Sequence, residues 1–413
     1  MLRVDGAPVR AYEGDTVATA LIAQQLPTMR SLKYHRPRAP FCMDGHCGGC
    51  LMRIDGEPNT RACMTAVRDG LEVCSQNSFP TAAHDALGII DRVYAQGLDH
   101  HAIMTGSRVQ NRVAQVVVRR LSGQGTLPRR APEAEAALPV EALACDVLVI
   151  GGGEAGRRAA ATAVAAGAST VLIDDQPAKD DANWAGLGAV RCLRATSLLG
   201  VFRDDRGAYA IASAAACSYR VRPRAWVWAT GSYAQNAIFA NNDLPGVFAV
   251  RAMAPLLAAD VLPGEQVLLA SDAASMASAQ AAAGELRAAG AAVLIVKIEA
   301  LVAAHGDGWV SGATLASPDG EVRVDCDAIC VAVVGSPAFE GPAQHGCEVG
   351  LREALGGFVV AVDAAQATSV AGAFACGAVT GELEATAALA QAERAGCAAA
   401  AYAAATHATV VAK

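Results

Sequence analysis

The chain has 413 residues, of which 53% are hydrophobic, 18% charged and 5% aromatic, with 40 glycines. This composition excludes a disordered or fibrous chain, and the length is enough for two or three domains with their own cores. The net charge of −7 argues against a nucleic-acid-binding protein. No secretory signal opens the sequence, and the long uncharged runs consist mainly of alanine. We therefore predict a cytoplasmic protein without a membrane span.

The first eighty residues read as short strands joined by tight turns, with one helix. Asp-Gly pairs at residues 5–6 and 55–56 lie between alternating apolar and polar residues, which is typical of β-hairpins. Between the two hairpins, residues 16–24 have the composition of a short helix. This pattern favours a small β-grasp domain.

Four cysteines in this segment form a C-x4-C-x2-C-x12-C pattern: Cys42, Cys47, Cys50 and Cys63. Thiolates are the ligands of a [2Fe–2S] cluster, and the C-x4-C-x2-C spacing is that of the plant-type ferredoxin loop. Glycines within the loop allow the backbone to approach inorganic sulfide closely. Zinc is the alternative metal, but zinc modules pair two CxxC knuckles and this segment contains one. A set of buried free cysteines is the other alternative. We predict the cluster.

A basic stretch precedes the cluster loop. Its members are Arg30, Lys33, Arg36 and Arg38. Two interpretations stay open, a solvated surface segment and an anion-binding or docking segment.

A dinucleotide-binding fingerprint begins after a Pro/Arg/Glu-rich connector. The apolar strand 146–150 runs into Gly151, Gly153 and Gly156, which form G-x-G-x-x-G before a helix. A second strand, 170–173, ends at Asp174. The glycines permit a tight turn, the helix N-terminus faces a pyrophosphate, and the carboxylate accepts from ribose hydroxyls. The alternative is a Rossmann-type fold that keeps its glycines for packing and holds no nucleotide.

A second strand–helix–strand pattern follows over residues 266–296, but its phosphate turn reads SDAASM. Side chains at Ser271–Ser275 would crowd a pyrophosphate, so we predict a domain without a nicotinamide site. The apolar segment 325–335 predicts a further buried strand.

Taken in order, these parts are similar to the α subunits of heteromeric sarcosine oxidase and of opine, D-hydroxyproline, L-proline and cyanide-forming glycine dehydrogenases. The resemblance is carried by RSLKYHRPRAPFC (30–42), DGEPNTRAC (55–63), VLVIGGGEAG (147–156), WATGSY (228–233), NNDLPGVF (241–248) and FACGAVTGELEATAALAQAERAG (374–396). It implies a β-grasp [2Fe–2S] ferredoxin-like domain followed by a shortened flavoprotein fold of two Rossmann-type dinucleotide-binding domains, an α/β and α+β architecture. We predict the ferredoxin-like domain at 1–80, a helical connector and linker at 81–143, the FAD- or ADP-binding domain at 144–240 plus 336–413, and the second, degenerate domain at 241–335.

The resemblance also implies the cofactors and partners. A [2Fe–2S] cluster is expected on the four cysteines, and FAD, or an adenine nucleotide in its place, in the first Rossmann-type domain, with FMN at a subunit interface. The nucleotide-site residues are expected to be Gly151, Gly153, Glu154, Ala155, Gly156, Asp174, Asp175, Thr230, Gly231 and Gly377. The partners are a flavin-bearing catalytic β subunit with a D-amino-acid-oxidase-like fold and an external electron acceptor.

The sequence departs from the family pattern at several points. The segment 175–229 is about half the usual length, and Cys376–Ala378 reads CGA where a Gly-Asp is expected. These departures put the binding of intact FAD in question. The second phosphate turn, SDAASM, argues against a nicotinamide nucleotide. No residues with the pattern of a hydrolytic or other catalytic site are present.

We therefore predict an electron-transfer and scaffold subunit of a flavin-dependent amino-acid or amine dehydrogenase, inactive without its partner. Two alternatives stay open. One is a non-catalytic assembly or regulatory subunit that binds ADP or ATP, and the other, less favoured, is an NAD(P)H-dependent ferredoxin-type reductase.

Overall fold

The computed structural model describes residues 1–24, 26, 30–31, 36–78, 80–82, 85–89, 107–121, 125, 127, 137–176 and 182–411. Much of the predicted connector, residues 90–106 and 128–136 among it, lies outside the described residues, as does Lys33. The chain divides into two compact units. The first comprises Met1–Ala131 and Ala234–Val334, and the second comprises Pro132–Tyr233 and Gly335–Lys413.

The first unit begins with a five-stranded sheet. In spatial order its strands are Ala7–Val9, Leu2–Val4, Glu72–Cys74, Leu51–Ile54 and Glu57–Arg61. Both predicted hairpins are present, and their Asp-Gly turns have positive φ at both residues (48° and 85° at the first turn, 47° and 85° at the second). Such turns match the right-handed twist of the strands, which explains why the sequence signal is strong. A small antiparallel pair, Arg30–Ser31 with Pro37–Arg38, lies before the cysteine loop.

One face of this sheet is covered by the helix Val17–Ala23, most of whose residues are buried. Thr16 is its N-cap, and Thr16 and Thr19 form a reciprocal capping box, which satisfies two backbone N–H groups at the helix start. A second helix in the described part of residues 1–131 is Arg108–Leu121.

The rest of the first unit is a smaller Rossmann-type domain. Four parallel strands lie in the order Val247–Ala249, Ala328–Ala332, Gln266–Ser271 and Ala292–Lys297, with helices Met253–Leu257 and Met276–Ala288. An antiparallel sheet of Leu301–Gly306, Val310–Ser317 and Gly320–Val324 follows. The predicted strand at 325–335 is the shorter Ala328–Ala332.

The N-terminal sheet and this second domain share one hydrophobic core. Met43 and Met52 of the N-terminal part belong to the same buried cluster as Phe248 and Met253. The Ala249 N–H also donates to the carbonyl oxygen of Phe41 at 2.9 Å. The cysteine loop is therefore fixed against the second domain by packing as well as by hydrogen bonds.

The second unit is built on a seven-stranded sheet. Its strands lie in the order Arg191–Leu193, Thr170–Ile173, Val140–Ile150, Ser218–Trp228, Gly207–Ser213 and Ser197–Asp204, and Ala373–Ala375 pairs with Ser218–Trp228. The strands from Arg191–Leu193 to Ser218–Trp228 are parallel, whereas the last two form an antiparallel hairpin. Two further antiparallel pairs are Ser232–Tyr233 with Ser336–Pro337 and Val349–Arg352 with Gly357–Val360.

The helices in the described part of this unit are Glu154–Ala165, Glu340–His345 and Ala385–Val411. Glu154–Ala165 packs on Ala385–Val411 through alanines that are fully buried, among them Ala159, Ala163 and Ala395. Short 3₁₀ turns in the part of the chain that the structure describes are Ala62–Met64, Ala86–Gly88, Ala182–Leu187, Val250–Ala252, Ile298–Ala300, Glu353–Leu355 and Gly377–Thr380. Among the described helices, none is both long and apolar enough to cross a membrane.

Candidate cluster and nucleotide sites

The cysteine loop lies between the strands Pro37–Arg38 and Leu51–Ile54 and is held in a tight curve by its glycines. Gly48 has a φ of +68°, which a side chain rarely adopts. A Cβ on Gly49 would lie 2.5 Å from the carbonyl oxygen of Ala39 and 3.5 Å from the Cys47 sulfur. Only glycine therefore lets the loop pass between the preceding strand and the thiols.

The loop and the hairpin that follows it arrange the four thiols in two pairs. The Sγ atoms of Cys50 and Cys63 are 3.3 Å apart, and the thiol of Cys42 is hydrogen-bonded to that of Cys47. Cys42, Cys50 and Cys63 are buried, whereas Cys47 is exposed. Two thiolates on one tetrahedral metal with bonds of about 2.3 Å lie roughly 3.8 Å apart, so each pair matches the ligands of a single iron.

Backbone N–H groups point at the sulfurs of the first pair. The Cys47 N–H donates to the Cys42 sulfur at 3.3 Å, and the Gly49 N–H donates to the Cys47 sulfur at 3.4 Å. The hydrogen bond from Cys42, helped by the Gly49 N–H, lowers the pKa of Cys47 to about 6, although desolvation of the thiolate opposes the shift. The same thiol–thiol bond and burial raise the pKa of Cys42.

In the second pair, too, the pKa values of the two thiols are shifted in opposite directions. The bond from Cys63 lowers the pKa of Cys50, and the pKa of Cys63 is raised by that bond and by burial. Each pair therefore contains one thiol that ionises readily and one that a metal would have to deprotonate.

The chemistry of this donor set fits a two-iron cluster. No group of three or more His, Cys, Asp or Glu side chains in the described part of the chain is arranged around a single metal ion. Two thiol pairs with sulfur-directed N–H donors are instead what two irons bridged by sulfide require. Cys74 lies elsewhere, at the end of the strand Glu72–Cys74, among Asp5, Glu72 and Arg53.

Two arginines of the basic stretch before the loop, Arg36 and Arg38, make contacts with the second domain of the same unit. Arg36 and Arg38 both pair with Asp243 of the second domain, at 3.2 and 2.6 Å. Arg36 also donates to the Asn241 side chain, and Arg38 to the Asp243 carbonyl oxygen. These partners lie more than 200 residues away in sequence, so no local pattern reveals them.

The first Rossmann turn keeps two of its glycines for the fold itself. A Cβ on Gly151 would collide with the carbonyl oxygen of Ala229, and a Cβ on Gly156 would collide with that of Gly151. At Gly153, by contrast, a Cβ would have no atom of the described residues within 4 Å beyond its chain neighbours, and this glycine is the N-cap of the helix Glu154–Ala165. The position that a pyrophosphate would approach is therefore open.

Asp174 lies at the end of its strand, as predicted, and faces this turn. Its carboxylate accepts from the Gly152 N–H at 2.6 Å and from the Gln176 N–H at 3.1 Å. Burial raises the pKa of Asp174, although both N–H bonds oppose the shift. The neighbouring Asp175 accepts from the Gln176 side chain at 3.0 Å.

An aromatic ring that no sequence motif marks lies beside this turn. The Trp184 ring lies against Gly152 and Asp174, with the guanidinium groups of Arg157 and Arg194 6.0 and 5.2 Å from its centroid. Tryptophan in a short segment carries no motif, so only the structure reveals this contact.

The remaining predicted nucleotide-site residues surround the same end of the sheet. Glu154 and Ala155 form the first turn of the helix, and a Cβ on Gly377 would lie 3.1 Å from the Ala155 Cβ. The Thr230 hydroxyl donates to the Ala338 carbonyl oxygen at 2.7 Å, and the Gly231 carbonyl accepts from the Ala338 N–H.

The Gly377 N–H has a partner inside the protein. It donates to the Gln391 side-chain oxygen at 2.9 Å, which also accepts from the Thr380 hydroxyl at 3.0 Å. A nucleotide would reach this N–H only if Gln391 moved.

The second Rossmann turn is closed by a carboxylate of its own. Asp272 accepts from the Ser275 N–H at 2.7 Å, at the start of the helix Met276–Ala288, and from the Val334 N–H at 2.9 Å. The Ser275 N–H lies at the helix start, where a phosphate would need a donor. The loss of glycines and the presence of Asp272 are visible in the sequence, whereas the contact of Asp272 with Val334 is not.

Comparisons with known proteins agree with this arrangement. Residues 1–78 match the family described as 2Fe-2S iron-sulfur cluster binding domain. The chain is 37% identical over 180 residues to the sarcosine oxidase subunit alpha of Rhizobium meliloti, which is 41% of this chain and 18% of that protein. It is 36% identical over 77 residues to the hydrogen cyanide synthase subunit HcnA of Pseudomonas aeruginosa, which is 19% of this chain and 74% of that protein.

Among solved structures, the L-proline dehydrogenase from P. horikoshii is similar over 97% of this chain and 72% of that chain, with a TM-score of 0.68 and 18% sequence identity. At this identity the likeness concerns the fold. The predicted fold class, a [2Fe–2S] domain followed by a Rossmann-type flavoprotein fold, is confirmed. The chain spans less than a fifth of the length of the sarcosine oxidase subunit.

Proposed function

Because this chain belongs to the [2Fe–2S]-containing α-type subunits of flavin-dependent amino-acid dehydrogenases, we propose that it carries electrons for such a dehydrogenase, whose catalytic flavin subunit is a separate chain. The observation that carries the proposal is the arrangement of four thiols in two pairs, with Cys47 at the surface. The relatives support it, since the names of the sarcosine oxidase and hydrogen cyanide synthase proteins describe subunits.

The chain's own residues do three things in this proposal. The thiols of Cys42 and Cys47 hold one iron, and those of Cys50 and Cys63 hold the other. The N–H groups of the loop stabilise the negative charge on the sulfurs, and burial of three of the four cysteines excludes water. A [2Fe–2S] cluster supplies one-electron chemistry, which allows the two electrons of a reduced flavin to leave singly.

The first Rossmann turn supports an adenine nucleotide in the second unit. Gly153 leaves room for the pyrophosphate, the helix start offers N–H groups, and Asp174 supplies an acceptor for the ribose once it releases the Gly152 N–H. FAD is the proposed ligand, with an FMN at the interface to a partner of D-amino-acid-oxidase-like fold. Oxidation of the substrate C–N bond belongs to that partner, and an external acceptor receives the electrons.

A second candidate is a non-catalytic assembly or regulatory subunit that binds ADP or ATP. The contact between Gln391 and the Gly377 N–H favours it, because that N–H lies where a flavin half would need donors. An NAD(P)H-dependent reductase has less support, since Asp272 already accepts from the Ser275 N–H of the second turn.

The proposal is tested by purifying the tagged full-length chain anaerobically from its source cells. We expect a flavin-containing polypeptide to co-purify. Adding sarcosine, L-proline, glycine or D-amino acids as probes is expected to bleach the flavin and to produce the electron paramagnetic resonance signal of a reduced [2Fe–2S] cluster. Cluster bands with an adenine nucleotide, but without any flavoprotein partner or response to these probes, would instead support the second candidate.

A further inference from the structure

The exposed cysteine of the cluster loop borders a surface groove of about 200 Å³. Cys47, Arg38 and Phe41 line it from the N-terminal domain, and Asn236 and Asp243 line it from the second domain. Both sides belong to the same compact unit, and their shared core holds them together. The groove is therefore a built part of the molecule at the one cluster ligand that reaches the surface.

Two ion pairs, one at the groove and one at the cysteine loop, place their positive members outward. In the Arg36–Asp243 pair the side chain of Arg36 is 37% exposed and that of Asp243 is 16% exposed. In the Arg251–Asp44 pair the corresponding values are 38% and 21%. Each carboxylate thus lies beneath the guanidinium that it holds.

Two more arginines extend this positive surface. Arg38 shares Asp243 with Arg36, and the exposed Arg61 runs beside the cluster loop, its Cδ 3.6 Å from the position of a Cβ on Gly45. We call Arg36, Arg38, Arg61 and Arg251 the basic rim. Among the described residues, its four arginines are accompanied by the two carboxylates of Asp44 and Asp243, whereas the whole chain carries a net charge of −7.

We propose that the basic rim docks an acidic one-electron acceptor protein beside Cys47. This inference rests on the proposed function, because an acceptor is needed only if the chain carries electrons. The charge contrast steers an acidic partner to this face and away from the rest of the molecule. A rim of arginines suits a transient encounter, whereas a permanent subunit interface has an apolar centre.

Only one electron moves in this step. The acceptor gains the electron that the reduced cluster loses, and no bond, proton or leaving group is exchanged. The basic rim contributes orientation, since it brings the acceptor's redox centre to the side of the loop where Cys47 is exposed.

The probe is a matched pair of haem proteins. Native cytochrome c has a ring of lysines around its haem edge, and its succinylated form carries carboxylates at the same places. Binding of each form to the full-length, cluster-loaded chain is measured by biolayer interferometry. Electron transfer from the dithionite-reduced chain to each ferric form is followed by stopped-flow absorbance, at salt concentrations from low to physiological.

We expect the succinylated form to bind more tightly, and its second-order rate to fall roughly tenfold or more as salt screens the charges. Arg61→Glu and Arg251→Glu are expected to weaken its binding and slow its reaction, whereas Arg323→Glu, on the exposed strand Gly320–Val324 outside the basic rim, leaves both unchanged. Tighter binding of the native form, or equal binding of both forms without a salt effect, would overturn the docking proposal.

Reduction of the uncharged duroquinone separates this inference from the proposed function. If the reduced chain passes electrons to the quinone at the wild-type rate in every variant but shows no preference between the two cytochromes, the docking proposal fails and electron transfer stands. If the chain binds the succinylated form more tightly yet reduces neither quinone nor cytochrome, electron transfer fails and the docking surface stands. The wild-type comparison requires no substitution, so a variant that fails to fold does not decide the result.

Discussion

At the residue scale, the three glycines of the first Rossmann turn have different roles. Two are required by the fold, and one is required by a ligand. Gly151 and Gly156 have backbone atoms where a Cβ would lie, so they are needed with or without a nucleotide. Gly153 has open space around it, and its φ of −62° suits any residue. A motif search weights all three equally, and only the structure distinguishes them.

We therefore predict that Gly153→Ala folds normally but binds an adenine nucleotide about tenfold more weakly, because its methyl group keeps the pyrophosphate from the backbone. Isothermal titration of the ligand-free chain with FAD, ADP and ATP measures the effect and identifies the ligand. Gly284→Ala, at an open and exposed helix position, is the control with unchanged affinity. Equal affinities for the Gly153→Ala variant and the wild type would mean that no pyrophosphate approaches this turn.

A buried histidine makes the second unit sensitive to acid. His345 is 3% exposed, its Nδ1 accepts from the Trp228 Nε1–H at 3.3 Å, and its ring packs on Trp226. Burial, with a smaller contribution from the positive charge of Arg203, lowers the pKa of His345 to about 4. The unfolded chain binds a proton at this position near pH 6.5, so stability falls as the pH decreases from 6.5 towards 4.

From pH 7 to pH 5 this single group is expected to cost about 2 kcal/mol of unfolding free energy. Urea unfolding at the two pH values measures it. The His345→Gln variant keeps an acceptor for Trp228. In this variant, the difference in unfolding free energy between pH 7 and pH 5 is expected to shrink by that amount. An unchanged difference would show that the histidine titrates normally in the folded protein.

At the element scale, the sequence predicts the turns, strands and helices that depend on neighbouring residues, but it does not predict contacts between distant residues. The Asp-Gly hairpins and the strand Thr170–Ile173 lie where the sequence predicts them, because turn residues and apolar runs act over a few positions. The helix in residues 16–24 begins at the N-cap Thr16 through its capping box with Thr19. The contact of Asp272 with the Val334 N–H and the Asp243 contacts of Arg36 depend on the tertiary fold, so no sequence window contains them.

The two helices Glu154–Ala165 and Ala385–Val411 approach closely at a glycine. A Cβ on Gly396 would collide with the carbonyl oxygen of Ala159 and lie 3.0 Å from the Thr162 Cβ. We predict that Gly396→Ala lowers the unfolding free energy by about 1–3 kcal/mol, since the helices must separate.

The matched control is the same substitution in a helix that has room for it. Gly284→Ala, in Met276–Ala288, is expected to raise the unfolding free energy by about 0.5–1 kcal/mol through helix propensity alone. If the interhelical contact is as close as described, urea unfolding gives changes in unfolding free energy of opposite sign for the two variants. A stabilising Gly396→Ala would contradict that contact.

At the scale of the whole molecule, the cysteine loop and the degenerate Rossmann-type domain act as one body. They share a core, two carboxylates hold three arginines across them, and the phosphate turn of that domain is filled by Asp272. We infer that this domain serves as a platform for the cluster and does not bind a nicotinamide nucleotide. The nucleotide-binding features lie in the other unit, at Gly153 and Asp174.

The central claim is that four particular thiols hold a [2Fe–2S] cluster, and the iron and acid-labile sulfide content of the anaerobically purified full-length chain tests it most directly. We expect two irons and two sulfides per chain in the wild type and in Cys74→Ser, whose thiol lies among Asp5, Glu72 and Arg53. Cys47→Ser and Cys63→Ser, one from each pair, are expected to lose most of both. A wild-type chain without iron, or a Cys74→Ser variant that loses its iron while Cys47→Ser and Cys63→Ser keep theirs, would contradict the account.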